Sequence, residues 1–149
     1  MKKTFLMIVM MLLGMAVSAQ AQNWSTLGPM LADEVNSLTS MLESEFRSQG
    51  IPATASANYN TGKKSVDVVV DFGSLDVVPF LDDATMREMK EGFLSSFVET
   101  VSSDDAGTYA NELANIMIKD GGTIRIVMKG AGKEKSLSIT GAEIKKAMR

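Results

Sequence analysis

The side chains in this sequence that could do chemistry are carboxylates and lysines. Histidine and cysteine are both absent, which removes Ser-His-Asp triads, cysteine nucleophiles, histidine-ligated haem and structural zinc sites of the nitrogen and sulfur type. Carboxylate acid-base chemistry, a Ser-Lys dyad or a hard-cation site remain. The carboxylates pair as Asp82-Asp83, Asp104-Asp105, and Glu88 with Glu91 at i,i+3 helical spacing. Glycoside hydrolysis needs two carboxyl groups about 5 to 10 Å apart across a sugar-sized cleft, one of them with its pKa raised by burial. Both aspartate pairs instead precede apolar helical runs, where a carboxylate caps free N–H groups and complements the helix dipole. Glu88 and Glu91 are interleaved with Arg87 and Lys90 on a polar face. No catalytic residue is assigned, and the chain reads as non-enzymatic. A carboxylate-dependent hydrolase acting on envelope glycans is the alternative. No segment has the alternating oxygen ligands of a calcium loop, so neither metal nor cofactor is expected.

Two glycine-lysine turns invite a phosphate reading. Gly130-Ala131-Gly132-Lys133-Glu134 and Asn60-Thr61-Gly62-Lys63-Lys64 both lack the glycine spacing and the Ser or Thr after lysine that a P-loop requires. They read as hairpin tips. If both tips lie at one end of an antiparallel sheet, Lys63, Lys64, Lys133 and Lys135 form one cationic rim suited to an anionic partner, such as a phosphorylated envelope lipid or acidic polysaccharide. Nucleic acid is not expected, because the chain is acidic and has no basic stripe interleaved with aromatics.

These residues are expected to work outside the cytoplasm. Lys2 and Lys3 precede an apolar run from Phe5 to Val17, and Ala19-Gln20-Ala21 supplies a small-x-small cleavage pattern. Residues 1–21 thus have the form of a bacterial signal peptide, with the mature chain starting at Gln22 in the periplasm or beyond. The apolar run is short of the roughly 20 residues that span a bilayer, so no retained span is expected. Without cysteine there is neither a lipid-modified N-terminus nor disulfide support, and burial alone must hold residues 22–149 as a single domain.

The 15 basic residues less Lys2 and Lys3, against 18 acidic, leave that domain at −5. Residues 129–149 carry six basic and two acidic side chains, or +4. This asymmetry is compatible with an anionic partner at the C-terminal end, but solvated surface lysines are the better explanation.

The positioning elements follow from periodicity. After a polar lead-in over Gln22–Gly28, Pro29 opens an amphipathic helix to about Gln49 with Leu31, Val35, Leu38, Leu42 and Phe46 on one side. Alternation then gives two strands around residues 53–59 and 66–72. Met86, Met89, Phe93, Phe97 and Val101 mark a second helix behind an Asp82 or Asp83 cap. Tyr109, Leu113 and Ile116 mark a third, opened by Asp104 and Asp105. A second hairpin spans 123–140, and Thr140 with Glu143 caps a short last helix. The order α-β-β-α-α-β-β-α predicts an α+β fold: a four-stranded antiparallel sheet from two β-hairpins, with helices packed on one face. Two hairpins leave two exposed edges and a sheet face, so a homodimer is a further expectation, beside an envelope protein as partner.

Overall fold

A computed structural model describes residues 23–101 and 107–148. Its elements, in chain order, are α1 (Trp24–Ser37), α2 (Thr39–Ser48), β1 (Thr54–Asn60), β2 (Ser65–Asp71), a 3-10 turn (Val78–Phe80), α3 (Asp83–Val101), α4 (Gly107–Asp120), β3 (Thr123–Gly130), β4 (Lys133–Thr140) and α5 (Gly141–Ala147). The α+β class, both hairpins and the expected order are present.

The sheet order is β1-β2-β3-β4. Both hairpins are antiparallel, but the central β2-β3 pair is parallel, with Ser65 opposite Thr123 and Asp71 opposite Lys129. The sheet is therefore mixed, which corrects the expectation of an antiparallel one. The reason lies in the crossover. The segment after β2 crosses to β4, where Lys135 meets the Leu81 carbonyl and Asp83. From there α3 returns the chain toward the other end, and Lys90 on it pairs with Glu143 of α5. Helix α4 packs on α1, α3 and α5 rather than along a strand. Only one helix thus reverses the chain along the sheet, and β3 restarts at the end where β2 began.

One sheet face supplies Ala57, Val66, Val68, Val70, Phe72, Ile124, Ile126, Met128, Leu137 and Ile139 to a single core. Onto it pack Leu27, Leu31 and Val35 of α1, Leu42 and Phe46 of α2, Met89, Phe93 and Phe97 of α3, and Leu113 and Met117 of α4. The alanines of β1 let α1 approach closely, and Gly28 leaves room for the Tyr59 ring. Among the described residues every sheet side chain in this core comes from that face.

The long first helix departs from expectation twice. It begins at Trp24 instead of Pro29, because Asn23 Oδ1 accepts the Thr26 N–H at 2.9 Å and caps the helix. Residues 23–28 are consequently ordered helix start, not a loose lead-in. The helix also breaks at Leu38. There Ser37 Oγ donates to the Glu34 carbonyl and Thr39 Oγ1 to the Asn36 carbonyl, at 2.7 and 2.9 Å, competing with the backbone ladder.

The tip of the β3-β4 hairpin is a two-residue turn in which Ala131 and Gly132 both have positive φ, 53° and 76°. That is the type I′ geometry matching strand twist. The Asp82 cap expected for α3 is present, accepting the Thr85 N–H at 2.8 Å, and the capping box joins Thr140 to Glu143. The expected caps at Asp104 and Asp105 lie outside the described residues.

Candidate functional site

The parallel β2-β3 junction decides where the lysines go. The 61–64 turn lies at the end of the sheet where β2 and β3 begin, and the 131–132 turn lies at the opposite end. Lys63 and Lys64 are therefore separated from Lys133 and Lys135 by the length of the strands, and the four do not form one rim. The second pair is also neutralised locally. Lys133 Nζ sits 3.1 Å from Asp76 Oδ2, while Lys135 donates to the Leu81 carbonyl and lies 3.9 Å from Asp83 Oδ1.

At the first end the chain builds a cleft of about 660 Å³. Trp24 is its floor. The indole is only 1% exposed, its Nε1–H donates to the Lys64 carbonyl at 2.7 Å, and its backbone N–H donates to Asp120 Oδ2 at 2.7 Å. The same Lys64 carbonyl accepts the Thr123 N–H at 3.1 Å, and Lys64 holds a left-handed backbone with φ 52°. Gly122 lies against the indole, where an added Cβ would stand 2.5 Å from Trp24 Cδ2. One residue thus ties the start of α1, the β1-β2 turn, the end of α4 and the start of β3 into a fixed frame.

On that frame Tyr59 meets the indole edge-to-face with ring centroids 6.4 Å apart. Pro29 and Thr61 complete the apolar and polar walls, and Lys64 and Lys119 supply positive charge. Neither lysine has an ion-pair partner among the described residues. The one carboxylate lining the cleft, Asp120, is already engaged by the Trp24 N–H. The arrangement can hold an anionic group beside an aromatic ring. It offers no nucleophile and base in hydrogen-bond contact, the geometry that covalent catalysis requires.

Of the sequence-derived candidates, only Lys64 lines this cleft. Lys63 is exposed on the turn, which is pinned by its N–H donating to Asn60 Oδ1 at 3.0 Å. Tyr59 and Lys119 were hidden from sequence reading: Tyr59 has the pattern of a core-facing strand residue and Lys119 that of a basic residue complementing the end of a helix. Only the β2-β3 pairing, which carries Asp120 to the 61–64 turn, brings them together.

Among the described carboxylate candidates, Asp82 serves as a helix cap. Asp82 is held below the usual carboxylate range by the backbone N–H and then the hydroxyl of Thr85, so it is not a raised-pKa acid. The Asp83 side chain is 97% exposed. Glu88 and Glu91 are exposed on α3. Among the described residues no group of three or more Asp or Glu side chains is placed to hold a metal ion. No helix among them is long and apolar enough to cross a membrane.

The sheet face opposite the core presents Asp67, Arg125, Val69, Val127, Ser136 and Ser138 in register. Asp67 is buried there, accepting from Ser65 Oγ at 2.7 Å with Arg125 Nη1 3.6 Å away. Its polar atoms are satisfied within the sheet, and Val127 sits buried beside them outside the main core. No protein-family model, curated protein or solved structure matches this chain, so its functional reading rests on the cleft itself.

Proposed function

We propose that this chain is an exported, non-enzymatic binding protein that takes an anionic group in the cleft formed by Trp24, Tyr59, Lys64 and Lys119. The observation that carries this reading is the convergence of two unpaired lysines and an aromatic ring on a frame locked by Trp24. Export is supported by the signal-like sequence of residues 1–21, with Lys2 and Lys3 before an apolar run and Ala19-Gln20-Ala21 at its end. A non-enzymatic role is supported by carboxylates committed to caps and solvent.

An acidic oligosaccharide such as an oligouronate is the probe of choice, because its ring can lie on Tyr59 while its carboxylate meets the lysines. Titration calorimetry should detect binding that weakens with salt, as expected for exposed charges. Lys64→Gln combined with Lys119→Gln should weaken binding about tenfold, equivalent to about 1.4 kcal/mol. Lys133→Gln, at the other end, should leave it unchanged. Equal loss in both variants, or turnover of the oligosaccharide that disappears in Glu88→Gln, would overturn the reading. N-terminal sequencing of the periplasmic fraction should return a chain beginning at Gln22.

A further inference from the structure

The two edges of the sheet are treated differently. On β1 the outward backbone is closed by side chains: Asn36 accepts the Ala57 N–H at 2.8 Å and donates to the Ala57 carbonyl at 2.6 Å, and Glu43 accepts the Ala55 N–H at 3.0 Å. The Asn36 carboxamide stands where a neighbouring strand would be. On β4 the two-residue turn fixes the odd-numbered residues as those bonded to β3, an assignment consistent with the Gly141 N–H donating to the Gly122 carbonyl. The backbone groups of Glu134, Ser136 and Ser138 therefore point outward, and no described residue meets them. Only the Thr140 N–H is covered, by Glu143.

We propose that two copies of this chain pair antiparallel through β4, joining their sheets into one of eight strands. The occupant is a second copy because the edge is complementary to itself. A two-fold axis at Ser136 sets Glu134 of each copy against Ser138 of the other, and Lys135 against Leu137, with no like charges directly opposed. Protruding lysines normally guard an open edge. Here they are folded back, Lys133 onto Asp76 and Lys135 onto the Leu81 carbonyl and Asp83. Small Ser136 and Ser138 remain along the strand. Beside it, the 3-10 turn packed on β3 and β4 exposes 70% of Phe80, apolar surface that a second copy would cover. Closure of β1 by Asn36 and Glu43 stops growth at two copies.

Sedimentation velocity of the intact protein from about 1 to 500 μM, the range of weak association, should show reversible monomer and dimer with no larger species. Ser136→Pro removes an outward N–H that nothing in the monomer uses and should leave monomer only. Ser136→Lys, which opposes two charges across the axis without changing the backbone, should do the same while keeping the native circular dichroism spectrum. As the chain has no cysteine, Ser136→Cys with a short bis-maleimide should give a covalent dimer, and Ser56→Cys on β1 should not. A monomer throughout the range, a dimer that survives Ser136→Lys, or assembly beyond two copies would overturn the proposal. So would capture of an unrelated extended peptide by a chain that stays monomeric.

Discussion

Trp24 ties together four separate parts of the chain. Its two N–H groups are satisfied at different places, on Lys64 and Asp120, and its ring rests on Gly122. Replacing it by alanine should cost about 3–5 kcal/mol, a large share of the 5–15 kcal/mol typical of a folded domain, measurable by urea unfolding followed by circular dichroism. Gly122→Ala should cost about 1–3 kcal/mol through overpacking against the same ring. Because Trp24 is the only tryptophan, the fluorescence of the native protein should be blue and shift red on unfolding in a single step.

Glu143 sets a different expectation. Partial burial pushes its carboxyl up, but the Lys90 ammonium and the Thr140 N–H and hydroxyl outweigh this and hold it below the ordinary value of 4.5. A folded-state value lowered in this way contributes stability that is complete above the unfolded pKa and is lost as pH falls through the folded one. The acid limb of the stability curve below pH 4.5 should therefore be shallower in Glu143→Gln. Thr140→Ala should cost about 1 kcal/mol at neutral pH through loss of the cap.

At the scale of elements, the break at Leu38 and the sealing of β1 belong together. Ending α1 at Ser37 leaves Asn36 facing Ala57 and starts α2 so that Glu43 faces Ala55. Asn36→Ala should cost about 1–3 kcal/mol for the groups left unpaired, and it should open a second edge, seen as species larger than a dimer in sedimentation.

Periodicity in the sequence located most of these elements. The alternating valines of β2, the Ala57 line of β1, the Met89-Phe93-Phe97 stripe and the Thr140-Glu143 cap all do what their spacing implies, because each is a short-range pattern read against one core. The helix break was not legible, since the apolar stripe from Leu31 to Phe46 continues across it. It is made by hydroxyls at Ser37 and Thr39 that spacing alone does not weigh. The start at Asn23 was missed for a related reason: Pro29 satisfies the rule for a first turn, yet the anchoring partners of Trp24 are distant in sequence.

For the whole molecule, strand direction was the feature local patterns could not supply. Two hairpins with the same residues can be joined either way, and the outcome depends on α4 packing against α1, α3 and α5 instead of running along a strand. That one choice dispersed the expected rim and assembled the cleft, bringing Lys119 and Asp120 to the turn that holds Lys64. Lys64 was therefore legible as a candidate, while its companions required the tertiary arrangement. Strand direction also makes the two ends electrostatically unlike, with free lysines at one and internally paired lysines at the other. Salt should consequently weaken anion binding at the cleft while leaving the thermal midpoint nearly unchanged, a contrast that titration and calorimetry on the same sample can check.

The parallel junction has a further consequence during synthesis. A nascent chain completes β1 and β2 early, and such a hairpin can close within microseconds. The strand that must lie beside β2 does not exist until residues 72–122 have been made, which takes several seconds at ribosomal speed. Throughout that interval Ser65-Val66-Asp67-Val68-Val69-Val70-Asp71 offers one unpaired side, rich in β-branched residues, to any other nascent strand. Its two aspartates and one serine are the only polar residues within the strand to oppose mispairing. Val69→Thr, on the face away from the core, should raise the yield of soluble protein when translation is slowed, with little change in the stability of the finished fold.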